Sequence, residues 1–150
     1  MKKHSLILSV LLLTLGTSTP VLAGPYADAI GQCFANSTTG KDRIELARWV
    51  FSSMALHPDV ISSAAITPQK REAINQSTGA LFNRLLAESC TKEVKEAVKF
   101  EGQGALKTAF ESLGKLAMQE LMSNPAVSAG FSGFEKYVDM PKLKKALESK

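Results

Sequence analysis

Along most of this chain apolar residues recur at spacings of three and four, with polar residues between them. That period returns side chains to one face of an α-helix at each turn. Sustained period-two runs of Val, Ile, Thr and aromatics, the mark of strands, are missing from the sequence. The spacing predicts a first helix opening at Pro25, with Tyr26, Ile30, Cys33 and Phe34 on it, broken by the turn-forming run Asn36 to Gly40. A second helix begins with Thr39 as N-cap and Asp42 three residues on, close to the capping-box pattern. Its apolar stripe reads Ile44, Ala47, Phe51 and Met54, widened by Leu46 and Val50, while Trp49 and Leu56 fall on another face. A helix apolar on two sides is expected to be central, packed all round. It is expected to end at His57, because Pro58 disfavours helical geometry before it.

The rest of the chain continues in the same way. A short helical turn is expected over Pro58 to Ala65, and Thr67-Pro68 supplies an N-cap and a first-turn proline. The third helix then runs to about Cys90, with Ile74, Thr78, Leu81, Phe82, Leu85 and Leu86 on one face. A fourth is capped by Thr91 and ends at Gly102, with Val94, Ala97 and Val98 as its stripe. Gly104 to Ser123 forms a long amphipathic fifth helix through Leu106, Phe110, Leu113, Ala117 and Leu121, with Gly114 beside that face as a point of close helix approach. Asn124-Pro125 restarts the chain, and Val127, Phe131, Phe134 and Val138 follow at helical steps. Gly130 and Gly133 predict close packing or a break there, since each glycine costs about 1 kcal/mol in a helix interior. Pro141 opens a last helix anchored on the core by Leu143 and Leu147. The sum is an all-α fold: a compact bundle of six or seven short helices.

Residues 1–23 change this picture, because they read as a secretory signal peptide. Lys2 and Lys3 give the positive start, Leu6 to Leu15 the apolar run, and Val21-Leu22-Ala23 the cleavage boundary. The cut is placed after Ala23, leaving one all-α domain over 24–150 in the periplasm or outside the cell. No second apolar run reaches membrane-spanning length. The formal net charge of +4 includes Lys2 and Lys3, so the remainder is close to neutral and carries no electrostatic signature of nucleic-acid binding. Cys33 and Cys90 are the two cysteines of the chain. In an oxidising compartment such a pair predicts a disulfide, with two separate buried thiols as the alternative.

Candidate chemistry is sparse. Ala35 to Asp42, ANSTTGKD, fails as a phosphate loop at both ends and has no strand before it. His57 is the one histidine after the leader, so a metal site lacks convergent imidazoles, and no cofactor motif is present. Ser52, His57 and Asp59 make a triad only on paper, without a nucleophile turn. The densest polar feature is Lys41, Asp42, Arg43, Glu45 and Arg48 with Trp49 beside them. It reads either as local ion pairing or as a recognition patch, since Arg and Trp are common interface anchors. Lys41, Asp42, Arg43, Arg48, Trp49 and His57 are therefore the candidate binding residues. The lysine-rich C-terminus, Lys136, Lys142, Lys144, Lys145 and Lys150, reads as a solvated amphipathic helix with its apolar side on the core, or as contact with an anionic surface.

Cys33, the run Thr39 to Arg43, Ala47-Arg48-Trp49-Val50-Phe51 and His57-Pro58 resemble a family of small exported proteobacterial helical proteins of unknown function. Ala109-Phe110, Leu113-Gly114 and Asn124-Pro125 extend the resemblance over most of the chain after the leader. It implies export and a helical fold, and no mechanism. The expected function is a non-enzymatic binding protein of the cell envelope, of the inhibitor, immunity-factor or accessory-subunit type, with an envelope or secreted protein as partner. Two alternatives are a small envelope hydrolase using His57 and a carrier of an apolar ligand between helices.

Overall fold

The computed structural model describes residues 24–148, and the leader expected over residues 1–23 lies outside them. Seven α-helices are present among the described residues: α1 (Pro25–Asn36), α2 (Gly40–Met54), α3 (Pro68–Asn83), α4 (Thr91–Glu101), α5 (Gly104–Met122), α6 (Pro125–Ser132) and α7 (Met140–Glu148). Short 3-10 turns lie at Ile61–Ser63 and Glu135–Tyr137. The described residues contain no strand. The all-α bundle expected from the periodicity is the observed fold, and Cys33 and Cys90 are joined in a disulfide.

Local chemistry sets most helix ends. The Thr39 hydroxyl accepts the Asp42 N–H while the Asp42 carboxylate accepts the Thr39 N–H, a complete capping box. The Thr67 hydroxyl accepts the Lys70 N–H, and Asn124 caps α6 ahead of Pro125. Each such cap stabilises its helix by about 1 kcal/mol. Gly102 ends α4 with φ of 74°, a left-handed conformation that favours glycine. Gly133 is the C-cap of α6, so the glycine pair marks a break. The second helix stops at Met54, three residues before the expected His57, and the chain enters turns stitched by Leu56 and His57 N–H groups.

The centre of the bundle is α5, where α2 was expected. Ala105, Ala109, Leu113 and Ala117 recur every four residues along its buried face. Three small side chains in that row let α1, α2 and α4 approach, and all three pack on α5. The larger Leu106 and Phe110 flank the row. The fully buried Ile30, Phe34 and Leu85 fill the gaps. Three rings run across the helices in contact, Phe34 to Phe110 at 5.1 Å and Phe110 to Phe82 at 4.9 Å between centroids. Trp49 meets Phe82 edge-on at 5.9 Å and closes the series. Gly114 meets no neighbour within 4 Å of an added Cβ, so the close approach expected there does not occur.

Two apolar stripes face the core only in part or not at all: Leu46 and Ala47 of α2 reach it and the rest of that stripe does not. On α2 the buried residues are Leu46 and Ser52, while Phe51 is 56% exposed and Met54 also lies open. The physical reason is polar. Arg71 on α3 donates to both the carbonyl and the hydroxyl of Ser52, which turns the Ser52 edge of α2 toward α3. Phe51, the next residue, then points away by about 100°. Likewise Leu143 and Leu147 do not anchor α7 on the core, since both are exposed and no described residue beyond Ala117 is buried.

Candidate functional site

The charged run at the start of α2 resolves into two parts. Asp42 and Arg43 face a corner where α1 ends, α2 begins and α3 runs on as a π-helix over Arg84–Ser89. The Cys90 N–H reaches Leu85 O at 3.0 Å, closing the wider turn that leads into the disulfide. The last carbonyls of α1 carry the negative end of its dipole, and α1 has no basic residue in its own last turn. Two arginines from elsewhere serve instead. Arg43 donates to Ala35 O at 3.0 Å and Thr38 O at 3.2 Å, with Glu120 of α5 at 3.6 Å. Arg84 donates to Ser37 O at 2.7 Å and pairs with Asp42 at 2.9 Å. The Ser37 hydroxyl lies within 3.8 Å of both disulfide sulfurs.

Burial pushes the Asp42 carboxyl up, but the Thr39 N–H and hydroxyl and the Arg84 guanidinium outweigh it and hold it below the usual aspartate value. A carboxyl with a depressed folded-state pKa stabilises the fold above its unfolded pKa of about 3.9, and that stability is lost as pH falls through the folded value. Asp42→Asn is therefore expected to cost about 1 kcal/mol at neutral pH, because a neutral amide oxygen accepts the Thr39 N–H more weakly and the partly screened ion pair with Arg84 is lost. The urea-unfolding gap between the two chains should begin to close near about pH 4 and vanish only below the lowered folded-state value. A constant gap down to the acid limit would contradict the assignment.

Lys41 and Arg48 turn instead to a shallow groove between α2 and α3, where they meet Lys70, Ala73 and Ser77. Arg48 pairs with Glu45, whose other oxygen lies 3.5 Å from the Ser77 hydroxyl. Trp49 is half-buried against the core and contributes its edge to packing. His57 lies past the end of α2, 63% exposed, with Asp59 Oδ2 at 3.8 Å. Its Nδ1 accepts the Asp59 N–H, while Ser52 is buried and held by Arg71. The paper triad is thus not assembled. The six candidate binding residues are divided among a structural corner, a cationic groove, an aromatic contact and an exposed turn.

A larger group of exposed apolar side chains lies in the C-terminal segment, where Leu143 and Leu147 are expected on the core. Phe131, Phe134, Tyr137, Met140, Leu143 and Leu147 are all exposed, Tyr137 at 81% and Leu147 at 78%. Lys136 sits 5.0 Å over the Tyr137 ring. On α7, Met140, Leu143 and Leu147 fall on one side of the wheel, with Lys144 and its partner Glu148 along one edge and Lys142 toward the opposite face. Among the described residues no three His, Cys, Asp or Glu side chains gather into a metal-sized cluster, and no helix is long and apolar enough to cross a membrane. Comparison with protein-family models, with curated proteins and with solved structures returns no match.

Proposed function

We propose that this is an exported, non-enzymatic interaction protein of the cell envelope that docks another protein through its C-terminal segment. The observation that carries the reading is the exposed row Phe131, Phe134, Tyr137, Met140, Leu143 and Leu147, beyond the last buried residue. Large exposed apolar side chains gathered on one short segment are costly in an isolated protein and mark interaction sites. The polar groups beside it carry both signs, Lys136 and Lys142 with Glu135 and Asp139, and Lys144 paired with Glu148 at 3.8 Å, so the partner is expected to be apolar at its centre and of mixed charge around it. Export is supported by the leader pattern, by the disulfide and by the resemblance to small exported proteins.

The alternatives draw no support from the site. His57 and Asp59 both face solvent. Phe34, Phe82 and Phe110 touch one another across the space an apolar ligand would take. The test is affinity capture from envelope extract with the unsubstituted chain and with a Phe131→Ser, Phe134→Ser, Leu143→Ser variant. One stoichiometric protein is expected with the first and not with the second, at unchanged melting temperature, because none of the three side chains is buried. Recovery of the same protein with the variant would overturn the docking surface, and no stoichiometric protein at all would overturn the function.

A further inference from the structure

The first turn of α1 is capped from across the domain. Glu101, the last residue of α4, accepts the Tyr26 N–H at 2.9 Å on one carboxylate oxygen and the Ala27 N–H at 3.0 Å on the other. Pro25 has no N–H to satisfy, and the Asp28 N–H reaches Gly24 O at 3.0 Å. Gly24 itself has no side chain to cap with, so Glu101 completes the turn in its place. The same carboxylate lies against Gly24. A Cβ built there would sit 2.1 Å from the first Glu101 oxygen and 2.3 Å from its carboxyl carbon, so a side chain at this position would displace the carboxylate from its cap. Cβ and the backbone nitrogen hang on one Cα, which puts the Gly24 nitrogen within about 5 Å of that oxygen.

Inside an intact chain this nitrogen is a neutral amide. Hydrolysis of the Ala23–Gly24 peptide bond changes it. Water is the co-reactant and an export peptidase the catalyst: Ala23 takes the hydroxyl and leaves as a carboxylate, and the Gly24 amine takes up a proton. We propose that Glu101 is the receptor for the α-ammonium created by this cut, so that processing clips α1 to α4. The proposal rests on the export reading above. It gives the α1–α4 pair a clip at each end. The disulfide Cys33–Cys90 fastens one end and the Gly24–Glu101 ion pair the other, with Tyr26 stacked on Phe100 at 4.8 Å beside it. Both clips form only after export.

The sign of one comparison tests this. An α-ammonium at a helix N-terminus opposes the dipole, so acetylating it ordinarily stabilises a helix. Here the prediction is the reverse. A chain made to begin at Gly24 with a free amine should melt above the same chain acetylated there, by on the order of 4 °C. In Glu101→Gln the difference should vanish or change sign. An unchanged or raised melting temperature on acetylation of the unsubstituted chain would overturn the proposal, and that comparison decides even where Glu101→Gln does not fold. N-terminal sequencing of the exported product addresses the export reading separately. A product beginning at Gly24 supports the proposed cut, and any other start removes it whatever the melting data say.

Discussion

Replacing the disulfide, with Cys33→Ser and Cys90→Ala together, is expected to lower the stability of the folded chain by about 4 kcal/mol. The two cysteines are 57 residues apart in sequence and 5.9 Å apart between Cα atoms. An open chain must give up the freedom of that whole loop on folding, whereas the bridged chain has already lost it. Domains of this size are stable by only about 5–15 kcal/mol, so the loss is a large share of the total. Alanine is chosen at Cys90 because that position is fully buried and a serine hydroxyl there would lack water. Urea unfolding checks the expectation, with the unsubstituted chain plus reductant as a second arm. Equal midpoints with and without the bridge would contradict it.

Phe34→Ala should cost about 3–5 kcal/mol. Phe34 is fully buried at the α1–α5 contact, and its ring lies 5.1 Å from that of Phe110. Removing it loses the transfer energy of the ring, leaves a cavity that rigid neighbours close only in part, and strips Phe110 of a partner. Phe51→Ala, one helix away, is the control. Hydropathy alone ranks the two phenylalanines equally, but Phe51 is largely exposed, so its loss should change stability by no more than about 0.5 kcal/mol. Comparable losses at both positions would mean that α2 is rotated relative to the account given above.

That pair shows where the sequence spoke clearly and where it did not. Helix starts were legible because caps are local: Thr39 with Asp42, Thr67 before Pro68 and Asn124 before Pro125 each act within three residues. The cysteine pairing was legible because two cysteines offer a single partner choice. The azimuth of α2 was not, because it depends on Arg71 reaching Ser52 across 19 positions. The π-helix at Arg84–Ser89 was hidden for a different reason, since six residues are too few to set a period of their own. Glu101 carried no signal at all: it stands in an ordinary charged helix end, and the N–H groups it holds are 74 and 75 residues away. Arg84 offered a faint one, a charge inside the apolar run Leu81 to Leu86.

The C-terminal segment was the largest misjudgement, and it is instructive. An amphipathic pattern states that a helix needs a partner surface without stating whose. Leu143 and Leu147 are expected on the core of their own domain, yet α6 touches α5 and α7 has no buried residue. Helices of eight and nine residues are marginal on their own in water. Their folding is therefore expected to strengthen when something covers them.

Amide hydrogen exchange on the full oxidised chain tests this division of the molecule most directly. Backbone amides of α1, α3 and α5 should exchange only through global unfolding, while those from Ala126 to Glu148 should exchange within seconds in the isolated protein and slow when the captured partner is added. Protection of the C-terminal amides equal to that of α5 in the isolated monomer would contradict the account, because the segment would then already be packed on its own core.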